Sequence, residues 1–346
     1  MKKILLVLLL AALSTGFLLT GCSNTALSTS APQEVTTSTG SSAVAATAAS
    51  TTVQAESTTP VETGKLVIYA PASSSSIPVL LAASQMKNTE VKLYTDQSQA
   101  NTLFLRGDVS ILVTGLSVGV DLYKNGAPVQ EVNSFVSGLS YLVTYGKSVT
   151  SLADLKGQQI YLPFEGSPIE EVITFLAGKA GLKYKEDLSP IYSAFDSSVQ
   201  LLKEGKATAV VLPEPNVSLV EGQPNIYISL SLYDEWNKVT GTNAGYPQVG
   251  SFVNSNWAKS HSDEIAAFNQ ALSSAITSVE KDPAAAVDSV KANYKLSPAL
   301  LLKSLNRTHY TLMTGQAMED SISNYYQVIG KPLDEKFSAF YYLPAQ

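Results

Sequence analysis

The hydrophobic pattern changes character twice along the chain. Lys2 and Lys3 precede an apolar run from Ile4 to Leu19 that Ser14, Thr15 and Gly16 interrupt. It is too short and too broken to span a bilayer comfortably, and it reads as an export signal. From Ser23 to Gly64, 27 of 42 residues are Ser, Thr or Ala, only Glu34, Glu56 and Glu62 are charged, and no aromatic appears. That composition cannot build a core and predicts a flexible tether with a reach of roughly 36 Å; a glycosylated stalk is the other reading it allows. From residue 65 onward, short apolar runs alternate with helical periods, and the core must be made there.

In this last region the pattern repeats. Val67-Ile68-Tyr69-Ala70-Pro71 reads as a strand, followed by a Ser-rich loop and by Ser76-Ile77-Pro78 leading into a helix; Ile160-Tyr161-Leu162-Pro163 is followed in the same way by Phe164-Glu165-Gly166 and Ser167-Pro168. Asp96 caps a predicted helix that ends at Arg106-Gly107 before the strand Val109–Thr114. Asp196 is expected to cap its counterpart, which ends at Glu204-Gly205 before the strand Thr208–Leu212. Leu66–Gly115 and Gln159–Glu214 thus each read strand, helix, strand, helix, strand, the order of a parallel sheet.

Two extended segments, Val132–Tyr145 and Gln248–Asn254, follow these units and are expected to cross between the lobes as a hinge. The rest reads as helical scaffold. Ser262 starts a helix with apolar residues at 265, 268, 272, 276 and 279, Asp282-Pro283 and Ser297-Pro298 start two more, and Thr314 or Gly315 starts the last, which runs to Gly330. Tyr325, Tyr326, Tyr341 and Tyr342 read as packing and surface residues of that scaffold. The expected organisation is a leader over 1–21, a tether over 22–64, one lobe from 65–135 with 250–346, and a second from 136–249. The fold class is α/β, with a mixed, mainly parallel sheet in each lobe.

Charge and composition narrow the function. The whole chain has 23 Lys and Arg against 29 Asp and Glu, so there is no basic stripe for nucleic acid. One cysteine and two histidines, His261 and His309, exclude a disulfide framework and a thiolate zinc site, and neither a Gly-x-Ser-x-Gly nor a His-Glu-x-x-His motif occurs. No metal or cofactor is expected.

Leu19-Thr20-Gly21-Cys22 resembles the lipobox of bacterial lipoproteins, in which the chain is cut before a lipidated cysteine. The resemblance implies that Cys22 becomes the acylated first residue and that the protein is held on the extracytoplasmic face of a membrane. The charge would then be 21 − 29 = −8, so lipid rather than electrostatic adhesion would do the holding. Ser151-Leu152-Ala153-Asp154-Leu155-Lys156-Gly157, Gly166-Ser167, the run Gly205–Pro215 and Val249-Gly250-Ser251-Phe252-Val253 are similar to phrases of solute-binding proteins of ABC importers. The similarity is to the nitrate/sulfonate/taurine and thiamine-precursor branch, and it covers 65–330 in order and spacing. It implies a two-lobed type II periplasmic-binding fold, a monomer, capture of a small organic solute by hinge closure, delivery to a permease and its ATPase, and no reaction.

Parallel sheets bind ligands at the carboxyl ends of their strands, where helix N-termini supply N–H groups. The candidate ligand-binding residues are therefore Ser74, Ser75, Ser76, Thr114 and Gly115 from one lobe, and Gly166, Ser167 and Glu214 from the other, with Tyr246 and Phe252 as aromatic walls. Phe164 is a further aromatic candidate, as are Tyr69 and Tyr161, although those two read rather as strand residues packing on helices. Arg106 and Arg307 both read as lying away from the cleft, so no bidentate oxyanion site is predicted; a sulfonate or carboxylate would instead rely on N–H groups near Ser76 and Ser167 with Ser and Thr hydroxyls, which is feasible. Glu165 and Glu214 read either as ligand-facing carboxylates favouring an amine or protonated ring, or as a solvated loop charge and a helix-terminal carboxylate. The same pair is the one acid/base constellation that an enzyme on this fold could use. A tethered sensor or adhesin is a third reading.

Overall fold

The computed structural model describes residues 64–344. The leader, the lipobox cysteine and the tether lie outside the described residues. Eleven strands and twelve α-helices follow in two groups. The first comprises β1 (Leu66–Pro71), α1 (Ser76–Ser84), β2 (Thr89–Tyr94), α2 (Gln97–Arg106), β3 (Ile111–Gly115), α3 (Leu116–Lys124) and β4 (Val129–Gly138). The second comprises β5 (Ser140–Tyr145), β6 (Gln158–Leu162), α4 (Pro168–Lys179), β7 (Leu188–Tyr192), α5 (Phe195–Lys203), β8 (Ala209–Pro213), α6 (Asn216–Val220), β9 (Ile226–Ser231) and α7 (Leu232–Thr240). The chain then returns to the first group through β10 (Val249–Asn254), α8 (Ser255–Ala258), α9 (Ser262–Lys281), α10 (Pro283–Val290), α11 (Pro298–Leu305), β11 (His309–Met313) and α12 (Gly315–Val328).

The strands form two sheets, ordered β11-β4-β10-β3-β1-β2 and β7-β6-β8-β5-β9. In the first, β1 is parallel to β2 and β3; in the second, β6 is parallel to β7 and β8. The internal repeat is thus a repeat of fold: each sheet has a three-stranded parallel core with the first strand in the middle. Each core is flanked by an antiparallel strand, β10 beside β3 and β5 beside β8. With β4, β11 and β9 also antiparallel, each sheet is mixed, and its parallel part is confined to three strands.

Local chemistry explains why the elements start where they do. The Asp96 carboxylate caps α2 through Gln99 N–H at 3.0 Å, and Gly107 closes that helix in the left-handed conformation. Ser167 caps α4 through Glu170 N–H at 3.1 Å with Pro168 in the first turn. Asp282-Pro283 and Ser297-Pro298 open α10 and α11 by the same chemistry, as expected. In α9 the residues at 265, 268, 272, 276 and 279 are buried, together with Ala275. The expected cap of α5 is corrected: its N-cap is Ala194, and Asp196 lies inside the first turn. Strands β9 and β11 appear in no sequence pattern.

The two sheets are joined closely. The chain leaves the first at Gly138 and enters the second at Ser140, with buried Leu139 between, and it returns through residues 241–248. Gln248 ties these two crossings together: its Oε1 accepts Leu139 N–H at 3.1 Å and its Nε2 donates to Ser140 Oγ at 2.7 Å.

One polar group in the first lobe departs from ordinary core practice. Glu131 of β4 is fully buried, and neither carboxyl oxygen has a hydrogen-bond partner among the described residues. It lies over Gly250 of β10, where a Cβ would fall 2.2 Å from its Oε1, so glycine is needed there for space. Burial pushes its pKa well above the ordinary 4.5, so the native state favours the neutral acid. A group raised in this way contributes its full stability below the unfolded pKa and loses it as pH rises towards the folded value. Each pH unit of that window costs about 1.4 kcal/mol. Glu131→Gln should therefore be close to wild type in denaturant melts below pH 4.5 and progressively more stable than wild type as pH rises to 8; a pH-independent difference would show that the carboxyl does not titrate there.

Candidate functional site

In each sheet the turns that leave the carboxyl ends of the parallel strands gather at one end. In the first lobe these are residues 71–76 after β1, 94–97 after β2 and 114–117 after β3. In the second they are 163–167 after β6, 192–196 after β7 and 213–216 after β8. Eight of the predicted site residues, Ser74, Ser75, Ser76, Thr114, Gly115, Gly166, Ser167 and Glu214, lie in these turns. Tyr246 and Phe252 do not. Tyr246 is buried against Trp236 and Tyr325, and Phe252 is fully buried beside Phe340, so both are packed in the core instead of lining a wall.

Most of the polar side chains in these turns are already paired within the protein. Ser74 Oγ is 2.7 Å from Thr308 Oγ1, Ser75 Oγ is 2.6 Å from Ser73 Oγ, and Ser76 Oγ donates to the Pro71 carbonyl at 2.5 Å. The 73–76 turn is also held from behind, with Tyr294 Oη donating to Ser73 O at 3.0 Å and Tyr310 Oη to Ser74 O at 2.7 Å. Thr114 Oγ1 donates to Gln97 Oε1 at 2.9 Å. The serine loop is thus a braced rim with its hydroxyls turned inward.

The lobes meet at several places, three of which involve the strand-end turns or the helices that follow them. Ser117 Oγ of the first donates to Gly166 O of the second at 2.7 Å, and a Cβ on Gly115 would fall 2.5 Å from Pro168 Cγ. The turn that faces 166–168 is therefore 114–117, whereas 73–76 is engaged within its own lobe. Further round, Tyr325 Oη and Lys331 Nζ of the C-terminal region reach Glu171 of α4 at 3.4 and 3.0 Å. Burial raises the Glu171 pKa against the pull of Lys331. The third contact corrects the sequence reading of Arg307. It does not lie away from the second lobe: its Nη1 is 3.3 Å from Glu214 Oε1 and from Ser218 Oγ, and its Nη2 bonds Glu221. Glu214 is fully buried, and its Oε2 accepts Ser218 N–H at 3.1 Å. Burial pushes Glu214 upward, while the bonds from Ser218 and the charge of Arg307 pull it back towards ionisation. Arg106, by contrast, pairs with Asp108 at the other end of its sheet, as expected.

Ser117 lies in the Thr114-Gly115-Leu116-Ser117 turn that the sequence offers to the cleft, whereas nothing local marks Arg307 as a contributor. A cavity of about 290 Å³ opens at the lobe boundary, lined by Glu165, Gly166, Glu170, Glu171, Lys185 and Lys331 among others. A roomier one, about 630 Å³, lies at the far end of the first sheet near Leu66 and Asn88, away from the strand carboxyl ends. Among the described residues no group of three or more His, Cys, Asp or Glu is placed to hold a metal ion.

Comparison with known proteins adds the family. A family model described as NMT1/THI5 like matches residues 67–286, more than half of the sequence and most of both sheets. The chain belongs to the NMT1/THI5-like family. No curated protein matches the sequence. Among solved structures, the chain is similar to the periplasmic aliphatic sulphonate binding protein SsuA from Escherichia coli, with 15% identity and a TM-score of 0.65 over 82% of this chain and 93% of that one. It is also similar to the ligand-binding component of an ABC-type import system from Staphylococcus aureus crystallised with zinc, at 14% identity and a TM-score of 0.66 over 80% and 96% of the two chains. A third similar structure is the alkanesulfonate-binding protein SsuA from Xanthomonas axonopodis pv. citri bound to MOPS, at 15% identity and a TM-score of 0.63 over 79% and 96%. At these identities the likeness is one of fold, and the fold is the two-lobed periplasmic-binding one.

Removing one partner of a buried ion pair leaves the other charge uncompensated, which costs about 3–5 kcal/mol when both are buried. Arg307 is partly exposed, so Arg307→Met in this member of the family is expected to lose about 2–3 kcal/mol in urea melts, with Glu214→Gln restoring part of the loss in the double variant. Equal and additive losses in the two single variants would mean that the pair is not coupled.

Proposed function

We propose that this protein is the extracytoplasmic solute-binding component of an ABC importer, which captures a small organic solute between the six strand-end turns and hands it to a membrane permease. The observation that carries the reading is the set of polar contacts that exist only while the lobes are together: Ser117 to Gly166, Arg307 to Glu214 and Glu221, and Tyr325 and Lys331 to Glu171. Groups buried by closure lose water and regain partners across the boundary, so a solute touching both lobes binds the closed state better and shifts the population towards it. The similar proteins named as parts of import systems support the same reading, as does the expected anchor at Cys22, with 22–64 as tether and lobe boundaries near 135 and 250. The protein would act as a monomer on the outer face of the membrane, presenting the rims around Ser74–Ser76 and Gly166–Ser167 to the solute.

A catalytic reading finds less support. Glu165 and Glu214, the carboxylates it would need, are each bonded elsewhere: Glu165 lies 2.6 Å from Lys185, and Glu214 is held by Arg307 and Ser218. His309 stacks on Tyr233 at 3.7 Å, outside the strand-end turns, and burial lowers its pKa.

The reading is tested by thermal denaturation of the purified protein against a broad panel of small solutes. The cognate class should stabilise it by about 2.7 kcal/mol at a hundredfold excess over Kd. A panel in which no solute raises the melting temperature would remove the proposal.

A further inference from the structure

Resting on that reading of the cleft, we infer that Tyr233 and His309 form the bearing on which the lobes turn: a stacked pair of rings, one from each lobe, that stays in contact as the cleft opens and fixes the axis of the motion. Both are positioning residues. The axis follows from where the backbone bonds of each crossing change lobes. On the way out, Gly138 still pairs with His309 in the first sheet, whereas Leu139 O accepts Glu214 N–H at 2.9 Å and Ser140 pairs with Pro213 in the second. On the way back, Gly245 N–H donates to Asn237 Oδ1 of α7 at 2.9 Å. The next residue, Tyr246, donates its N–H to Ser137 O of β4 at 3.1 Å, and Gln248 N–H donates to Val136 O at 2.9 Å. The change-over points are therefore Gly138–Leu139 and Gly245–Tyr246, and one lobe rotates against the other about the line through them.

The ring of Tyr233, at the start of α7, lies against both points. A Cβ on Gly138 would fall 2.8 Å from its Cβ and Cδ2, and a Cβ on Gly245 would fall 2.5 Å from its Cδ2 and Cε2. Glycine is thus needed at each crossing to let the ring in. Tyr233 Oη donates to Asn243 O at 2.6 Å, which ties the tip of the ring to the return crossing. The first lobe meets it with His309, the first residue of β11, whose ring is stacked on it at 3.7 Å with 4° between the planes. Ser137 Oγ donates to the His309 carbonyl at 3.4 Å and holds it beside Gly138. Burial lowers the His309 pKa against the pull of Asp234, which favours the neutral, flat, apolar ring.

Displacement in a rotation grows with distance from the axis, so a contact that touches both change-over points survives a swing that parts others. Rings packed face to face can also slide and turn in their common plane and remain in contact. A cavity of about 280 Å³ beside the pair, lined by Ser137, Tyr233, Glu280, Thr308, His309 and Thr311 among others, leaves space for that movement. The bond from Lys331 to Glu171 at 3.0 Å is of the other kind, since neither residue bonds to a crossing and the contact is made only when the lobes are together.

The test uses the full-length protein with Cys22→Ser, spin-labelled through Gln99→Cys on α2 and Gln200→Cys on α5, and reads the solute-free distribution of interlobe distances by pulsed dipolar spectroscopy. His309→Ala removes one face of the bearing and should broaden each component about 1.5-fold or more, with populations within about twofold of wild type. His309→Phe, which keeps a flat ring, should restore the wild-type widths. Lys331→Met should do the reverse, raising the longer component about twofold or more at unchanged widths. Should His309→Ala not fold, His309→Leu, which keeps bulk without the flat face, is read in its place. Unchanged widths in that variant overturn the inference, as do widths that phenylalanine fails to restore or a Lys331→Met variant that broadens the distribution as much. A shift of population without broadening in His309→Ala also overturns it, since the stack would then be one more closing contact. All of these leave the transport reading intact. A wild-type protein with one narrow distance, the same in Lys331→Met, has no swing to guide, and overturns the bearing together with capture by hinge closure.

Discussion

The constraint on which the rest of the structure turns is a carboxylate that its own lobe cannot satisfy. Glu214, fully buried at the end of β8, has one oxygen on Ser218 N–H and the other on Arg307, which comes from the opposite lobe at the end of α11. A buried carboxylate without a cation is costly, and a guanidinium shared between Glu214 and Glu221 is costly to strand. Pulling the lobes apart returns both partners to water, which makes parting tolerable, and bringing them together is favourable only because all the bonds form at once. The contacts of Glu171 and of Ser117 with Gly166 belong to the same set. The lobe boundary thus carries a set of polar contacts beside apolar packing that also crosses it, as where Trp236 of the second lobe meets Tyr325 of the first.

That boundary sits where it does because of the repeated winding of the two sheets. Placing the first strand of each parallel core in the middle sends three turns to one end of each sheet, and the 114–117 turn of one meets the 166–168 turn of the other. β5 follows β4 directly but pairs in the second sheet, and β10 follows the second sheet but pairs in the first. Two crossings held together by Gln248 give a pivot that is short, buried and bonded, while the surfaces far from it carry charges. Rigidity near Leu139 and polarity near Arg307 are the two properties that a closing cleft requires.

Much of this was legible in the residues because it is set locally. The caps at Asp96 and Ser167, the prolines at 168, 283 and 298 and the period of α9 are chemistry within four residues, and they located the repeated units and the helical tail. The positions of the strand-end turns followed from the winding alone. The cleft's chemistry did not, because it is decided by partners far apart in sequence: Arg307 lies 93 residues from Glu214, and Ser117 lies 49 from Gly166. Tyr246 and Phe252 illustrate the complementary error, since aromatic residues near a cleft loop are drawn into the core whenever a neighbour such as Trp236 or Phe340 is there to pack on. β11 escaped notice for a different reason. It is an edge strand of five half-buried residues with two shifts of register against β4, so its side chains show no clean alternation.

The central claim, that solute shifts the two lobes from open to closed, is tested most directly by the distance between them in solution. The chain from residue 65 onward contains no cysteine, so spin labels placed by Gln99→Cys on α2 and Gln200→Cys on α5, both exposed positions on opposite lobes, report one distance without interference. Pulsed dipolar spectroscopy should give a broad distribution with a long component in the solute-free protein and a single shorter distance once a stabilising solute is saturating. An identical distribution in both samples would contradict the account.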